Sequence, residues 1–175
     1  KNDLDKDGQN FREIFDKIKT ALSIRAAQLG ILLSLTVSLS FFLIPVLPLL
    51  FVRELGWTEE QFNQTKGGII LVVTMIGYLI GGQLGKRLGG KTTIIYAAVG
   101  TAVTTTVWGL TEGMWSNGAF MMIIWSLRTF GWAVVMINIY ALMMKVTWGE
   151  VGGTQFTGYM AMMNLSAIIG YQLAE

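Results

Sequence analysis

The chain has 175 residues, 53% of them hydrophobic and only 14% charged, with a mean hydropathy of +0.54. A soluble domain carries about 25% charged residues, so the deficit points to a surface that faces lipid. A net charge of +2 excludes a strong nucleic-acid footprint, and the absence of Cys and His excludes disulfides, thiolate metal sites, a Ser-His-Asp triad and the usual neutral-pH proton shuttle.

Residues 1–25 read as a linker. "KNDLDKDGQN" is polar, and in "FREIFDKIKTALSIR" the apolar Phe11, Ile14, Phe15, Ile18 and Leu22 repeat at helical spacing. A basic amphipathic helix ahead of a membrane span is suited to the lipid interface, although packing as an ordinary connector fits the pattern equally. Five long apolar stretches follow over 26–175, at about 26–52, 67–85, 92–111, 116–144 and 152–174. Each approaches the roughly 20 residues that cross a bilayer as a helix. Barrel strands would be about 10 residues and alternate strictly. The expected fold is therefore an all-α integral membrane protein with five transmembrane helices behind an amphipathic interfacial helix. Pro45 and Pro48 in "LIPVLPLL" each lack an amide proton, so a kink or break is expected in the first stretch; it could serve a gate or be static.

Loop charges set an orientation. With the start in the cytoplasm, ten cations (Lys1, Lys6, Arg12, Lys17, Lys19, Arg25, Lys86, Arg87, Lys91 and Lys145) lie inside, and two, Arg53 and Lys66, lie outside. Trp57, Trp108, Trp115 and Trp148 fall near the expected helix ends, where amphipathic rings favour the interface.

"GGQLGKRLGGK", 81–91, follows a repeat of Gly77, Gly81, Gly85 and Gly89 that lines one helix face and admits a neighbouring backbone. This glycine-rich helix end and basic turn resemble the signature loop of the major facilitator superfamily, with Gly82, Arg87, Gly89 and Lys91 at matching positions and Lys86 in place of the usual Asp. The resemblance implies a gating or conformational role for Gly82, Lys86, Arg87, Gly89 and Lys91, and the kink expected at Pro45 and Pro48 adds those two to the gating candidates. The plainer reading of 81–91 is a glycine-packed helix pair with a charge anchor. The linker and short loops resemble the middle of a twelve-helix transporter, so this chain is expected to be part of its second half, with an N-terminal half elsewhere.

A narrower resemblance covers about 53–170. "TQF", Thr154 to Phe156, after a short loop is similar to the start of the eleventh helix in the peptide–acetyl-coenzyme A transporter family, which includes the bacterial muropeptide permeases. "NQTKGGIILVVTMIGYLIGGQLGKRL" is similar to that family's eighth helix. This implies a bacterial inner-membrane location and an anionic solute, a muropeptide or an acyl-coenzyme A-like compound. Read from the residues alone, Thr154 is an N-cap candidate, with Glu150 complementing the helix dipole.

Within "FMMIIWSLRTFGWAVVMINIY", Arg128 stands in an otherwise apolar run. A central arginine costs about 2.5–3.5 kcal/mol on insertion scales, so it must face the bundle or a water-filled cavity. Trp125 and Trp132 share its face and could hold the guanidinium by cation–π contact. No acid lies within the five stretches. Arg128 thus pairs with an acid in the other half or meets an anionic ligand. Trp125, Trp132, Asn138, Gln155 and Asn164 complete the candidate solute-binding set. The expected function is secondary active transport of a small solute by alternating access, with the lipid bilayer as surroundings and no enzyme activity, cofactor, metal or nucleic-acid partner. The alternative is a non-transporting membrane subunit or sensor with Arg128 in a structural ion pair.

Overall fold

A computed structural model describes residues 13, 15–17, 19–39, 43–147, 149 and 151–173. Every regular element among them is helical, as the composition and apolar run lengths require. The elements are α1 (Arg25–Val37), α2 (Leu43–Pro48), α3 (Glu59–Leu88), α4 (Gly90–Leu110), α5 (Gly118–Val146) and α6 (Gly152–Gln172). Among the described residues, α3, α4 and α5 are long and apolar enough to cross a membrane.

The element boundaries differ from the apolar stretches in two informative places. The stretch at 26–52 is not one continuous helix. Ordinary winding ends with α1 at Val37, α2 begins at Leu43, and a π-helical segment follows over Leu49–Glu54. Pro48 has no amide proton to close the ordinary turn, and wider winding starts directly after it; Pro45 lies earlier in the α2 backbone. The helix expected at 67–85 begins at Glu59, because Thr58 and Gln61 form a capping box. The Thr58 hydroxyl accepts from the Gln61 amide at 3.1 Å, and the Gln61 side chain accepts from the Thr58 amide at 3.0 Å. Glu59 and Glu60 favour the positive end of the helix dipole. A π turn at Lys66–Ile70, containing the adjacent Gly67 and Gly68, joins this polar start to the apolar remainder.

Of the linker's helical face, Phe11, Ile14 and Ile18 lie outside the described residues, as does Arg12. Phe15 is 60% exposed and Leu22 39%, so neither packs as an ordinary core residue. The chain bends by 84° between helical residues 15–23 and α1.

Two compact units make up the chain. The first comprises 1–46 and 143–175. In it α1 lies along α6, burying Ala27, Gly30 and Ser34 of α1 and Tyr159, Met163, Ser166 and Gly170 of α6. At Gly30 a Cβ would stand 2.9 Å from the Tyr159 ring, so close approach depends on the absent side chain. The Ser34 hydroxyl donates to the Gly30 carbonyl at 2.8 Å, which permits its full burial.

The second unit, 47–142, has an aromatic core of Phe51, Phe62, Trp108 and Trp125 with Ile70, Met121 and Ile124. Phe62 stacks on Trp125 at 5.5 Å and 11°, and Phe51 meets Trp57 edge-on at 4.7 Å. Trp57 and Trp115 pack against this core, and Trp108 is buried within it. Of the tryptophans placed at a lipid interface by the sequence, Trp108 is buried in this cluster, Trp57 and Trp115 are partly buried against it next to helix ends, and Trp148 lies outside the described residues. The lipid-compatible surface is aliphatic instead: Leu71, Val72, Met75, Leu79, Val99 and Val103 are exposed along α3 and α4.

Candidate functional site

Arg128 lies one turn beyond Trp125 on α5, inside the second unit. It is half-buried, and its Nε is enclosed with no hydrogen-bond partner among the described residues. The ion pair recorded among those residues is Lys17–Glu13, at 2.8 Å and solvent-exposed, and does not involve Arg128. An enclosed guanidinium N–H with no acceptor is costly.

The remaining candidates separate. Trp125 is 3% exposed, with its ring against Phe51 at 4.9 Å and Phe62 at 5.5 Å. It is an aromatic core residue, not the expected cation–π platform, because neighbouring rings take its faces. Trp132 is half-buried one turn past Arg128. Asn138 is 4% exposed, and its amide nitrogen donates at 2.9 Å to the carbonyls of both Gly81 and Val134. This side chain, placed in the solute set by the sequence, ties α3 to α5.

The glycine repeat explains that crossing. A Cβ at Gly77 would stand 2.7 Å from the Ala133 methyl, one at Gly81 2.8 Å from Val134 Cα, and one at Gly85 would collide with the Asn138 amide oxygen. Three of the four repeat positions admit α5. The fourth, Gly89, makes the turn between α3 and α4 at φ +86°, ψ 138°, a region costly for residues with a Cβ. Its carbonyl accepts from both the Thr93 amide and hydroxyl at 3.0 Å, anchoring the start of α4. Lys86, Arg87 and Lys91 are exposed around this turn with no ion pair among the described residues, and Gly82 has open space where a Cβ would be.

In the first unit, Gln155 is 7% exposed and its amide donates to the Tyr159 hydroxyl at 2.8 Å. Both line a largely apolar cavity of about 250 Å³, together with Ala21, Ile31, Thr154 and Gly158. Thr154 is not the N-cap. Helix α6 starts at Gly152 behind Val151, without a side-chain cap, which leaves Thr154 in the first turn facing the cavity; Glu150 lies outside the described residues. Asn164 is on the exposed face of α6. Sequence reasoning missed Tyr159; its spacing of four residues from Gln155 was the available signal.

The family model of the Major Facilitator Superfamily matches residues 3–171. The chain belongs to the major facilitator superfamily. No curated relative and no solved structure matches it. Membership places the chain in a family of integral membrane transporters, in agreement with the helical architecture and the apolar lengths of α3, α4 and α5. In this facilitator the positive φ of Gly89 supplies a physical reason for glycine in the basic turn at Lys86–Lys91.

Proposed function

We infer that this facilitator chain contributes to a secondary active transporter for an anionic solute, working by alternating access against an N-terminal half outside this sequence. The observation that supports this reading is Arg128: a permanent cation inside an apolar helix, enclosed at Nε and unpaired among the described residues. A carboxylate or phosphate on the solute supplies the missing acceptor, and a guanidinium binds either in a bidentate manner. Muropeptides and acyl-coenzyme A-like compounds are of this class. The half-buried Trp132, one turn past Arg128 in the same unit, is the accompanying solute-binding candidate, while Asn164 lies on an exposed face of α6 in the first unit. Gln155 belongs to the cavity in the first unit, and Asn138 and Trp125 support the scaffold.

The five apolar stretches cross the inner membrane of a bacterium in this reading, with the linker and the turn at Lys86–Lys91 in the cytoplasm. No acid lies within the stretches, so a proton-coupled cycle draws its titrating carboxylate from the other half.

The test is uptake of a labelled anionic muropeptide by the complete transporter in proteoliposomes, with and without a proton gradient, for wild type and Arg128→Gln. Gradient-driven uptake by wild type, abolished in Arg128→Gln with unchanged or raised thermal stability, is expected. Removing an uncompensated cation relieves an enclosed charge. A structural ion pair behaves in the opposite way: its loss leaves a buried carboxylate unpaired and costs about 3–5 kcal/mol. A large fall in Tm for Arg128→Gln would therefore favour the non-transporting alternative.

A further inference from the structure

We propose that the cavity in the first unit binds one acyl chain of an anionic phospholipid, whose headgroup sits on Lys19 and Arg25. The proposal rests on membrane membership and is independent of the transported solute.

The cavity's size and chemistry restrict its occupant. At about 250 Å³ it falls below the roughly 300 Å³ at which small-molecule sites begin, so it accommodates a segment of a chain rather than a whole polar solute. Its walls are formed by Ala21 and Leu22 of the linker, Ile31 of α1 and Met162 of α6. The polar pair at its edge is partly engaged, with Gln155 donating to Tyr159. The Thr154 hydroxyl makes no hydrogen bond among the described residues and can donate to an ester carbonyl. A free carboxylate or sugar entering these walls would lose its hydration without replacement, whereas a hydrocarbon chain would not.

Charge identifies the lipid. Lys19 and Arg25 bracket Ala21 and Leu22 in the chain, and both are exposed with no ion pair among the described residues. In the orientation set by the loop cations this linker lies at the cytoplasmic leaflet, where anionic headgroups attract basic segments. An apolar cavity whose linker wall is flanked in the chain by two exposed cations complements a lipid with a negative headgroup and an aliphatic tail. It does not complement a zwitterionic lipid to the same degree.

The test uses the complete transporter purified in mild detergent. Native mass spectrometry measures retention of phosphatidylglycerol and of phosphatidylcholine with identical acyl chains, in the absence of any transport solute. Wild type is expected to retain phosphatidylglycerol preferentially. The double variant Lys19→Gln/Arg25→Gln should bind it roughly ten- to thirtyfold more weakly and lose the preference. Gly158→Leu should lower retention of both lipids, because a side chain there enters open space at the cavity wall. If Gly158→Leu lowers Tm, Ile31→Phe fills the cavity from the α1 side instead. Unchanged phosphatidylglycerol retention in the cavity-filled and charge-removed variants overturns the proposal. So does weakening by the charge variant alone, which would signify surface adsorption, and so does equal retention of both lipids by wild type. Failure of muropeptide uptake leaves these outcomes unaffected, so the two readings fail separately.

Discussion

At Gly81 and Gly82, adjacent residues of one helix place opposite demands on a side chain. A methyl group at Gly81 would press on the backbone of α5, where Val134 Cα is 2.8 Å away. A main-chain atom cannot rotate aside, so the helices must part, with weakening of the Asn138 hydrogen bond to the Gly81 carbonyl. Overpacking of this kind costs about 1–3 kcal/mol. At Gly82 nothing lies within 4 Å of a Cβ, and alanine exceeds glycine in helix propensity by about 1 kcal/mol. Gly81→Ala is therefore expected to lower Tm in detergent, while Gly82→Ala holds or raises it. Equal shifts for both would show that the crossing is looser than this geometry. The contrast was half legible in the sequence. Spacing by four placed Gly77, Gly81 and Gly85 on one face, but the identity of the facing helix depended on the packing.

Local chemistry at the element scale reconciles many polar groups with lipid. Helix α4 contains Thr101, Thr104, Thr105 and Thr106, and each hydroxyl donates to the carbonyl four residues earlier at 2.8–2.9 Å, as does Thr111 just past its end at 2.7 Å. These bonds satisfy the hydroxyls without a partner helix, so a threonine-rich stretch remains compatible with the membrane. The start of α3 is decided by the Thr58–Gln61 capping box. Thr58→Ala should destabilise the start of α3 by about 1 kcal/mol, seen as faster amide exchange over 59–65 with protection in the apolar part of α3 unchanged. Slowed or unaltered exchange at 59–65 would show that the cap is dispensable. The S/T-x-x-E/Q pattern was present in the sequence, but hydropathy drew attention to 67–85, where the apolar signal is strong.

For the whole molecule, the absence of cysteine permits a direct test of orientation. Lys91→Cys, beside the basic turn, should react with a membrane-impermeant maleimide only from the cytoplasmic face. Lys66→Cys, at the π turn, should react only from the opposite face. Both native side chains are exposed, so accessibility within the protein does not limit either reaction. Labelling of both positions from the same side would overturn the topology. Ten cations against two across the proposed loops make the expected orientation strong in charge terms, although many of the ten belong to the linker.

By itself the sequence determined the class of this protein. Few charges, long apolar runs and a glycine-rich basic turn are properties of local composition and spacing, which need no knowledge of neighbours. Hydrophobicity likewise made Arg128 conspicuous, since a permanent cation in an apolar helix is costly wherever that helix packs. Tertiary structure decided which side chains are available. Trp125 and Asn138 look as suitable for a ligand as Asn164, until packing engages them with Phe51, Phe62 and the Gly81 carbonyl. The apolar cavity of the first unit joins the linker and α1 to α6, more than a hundred residues further along the chain. Periodicity can assign a residue to a helix face, but the direction of that face depends on contacts made by distant segments.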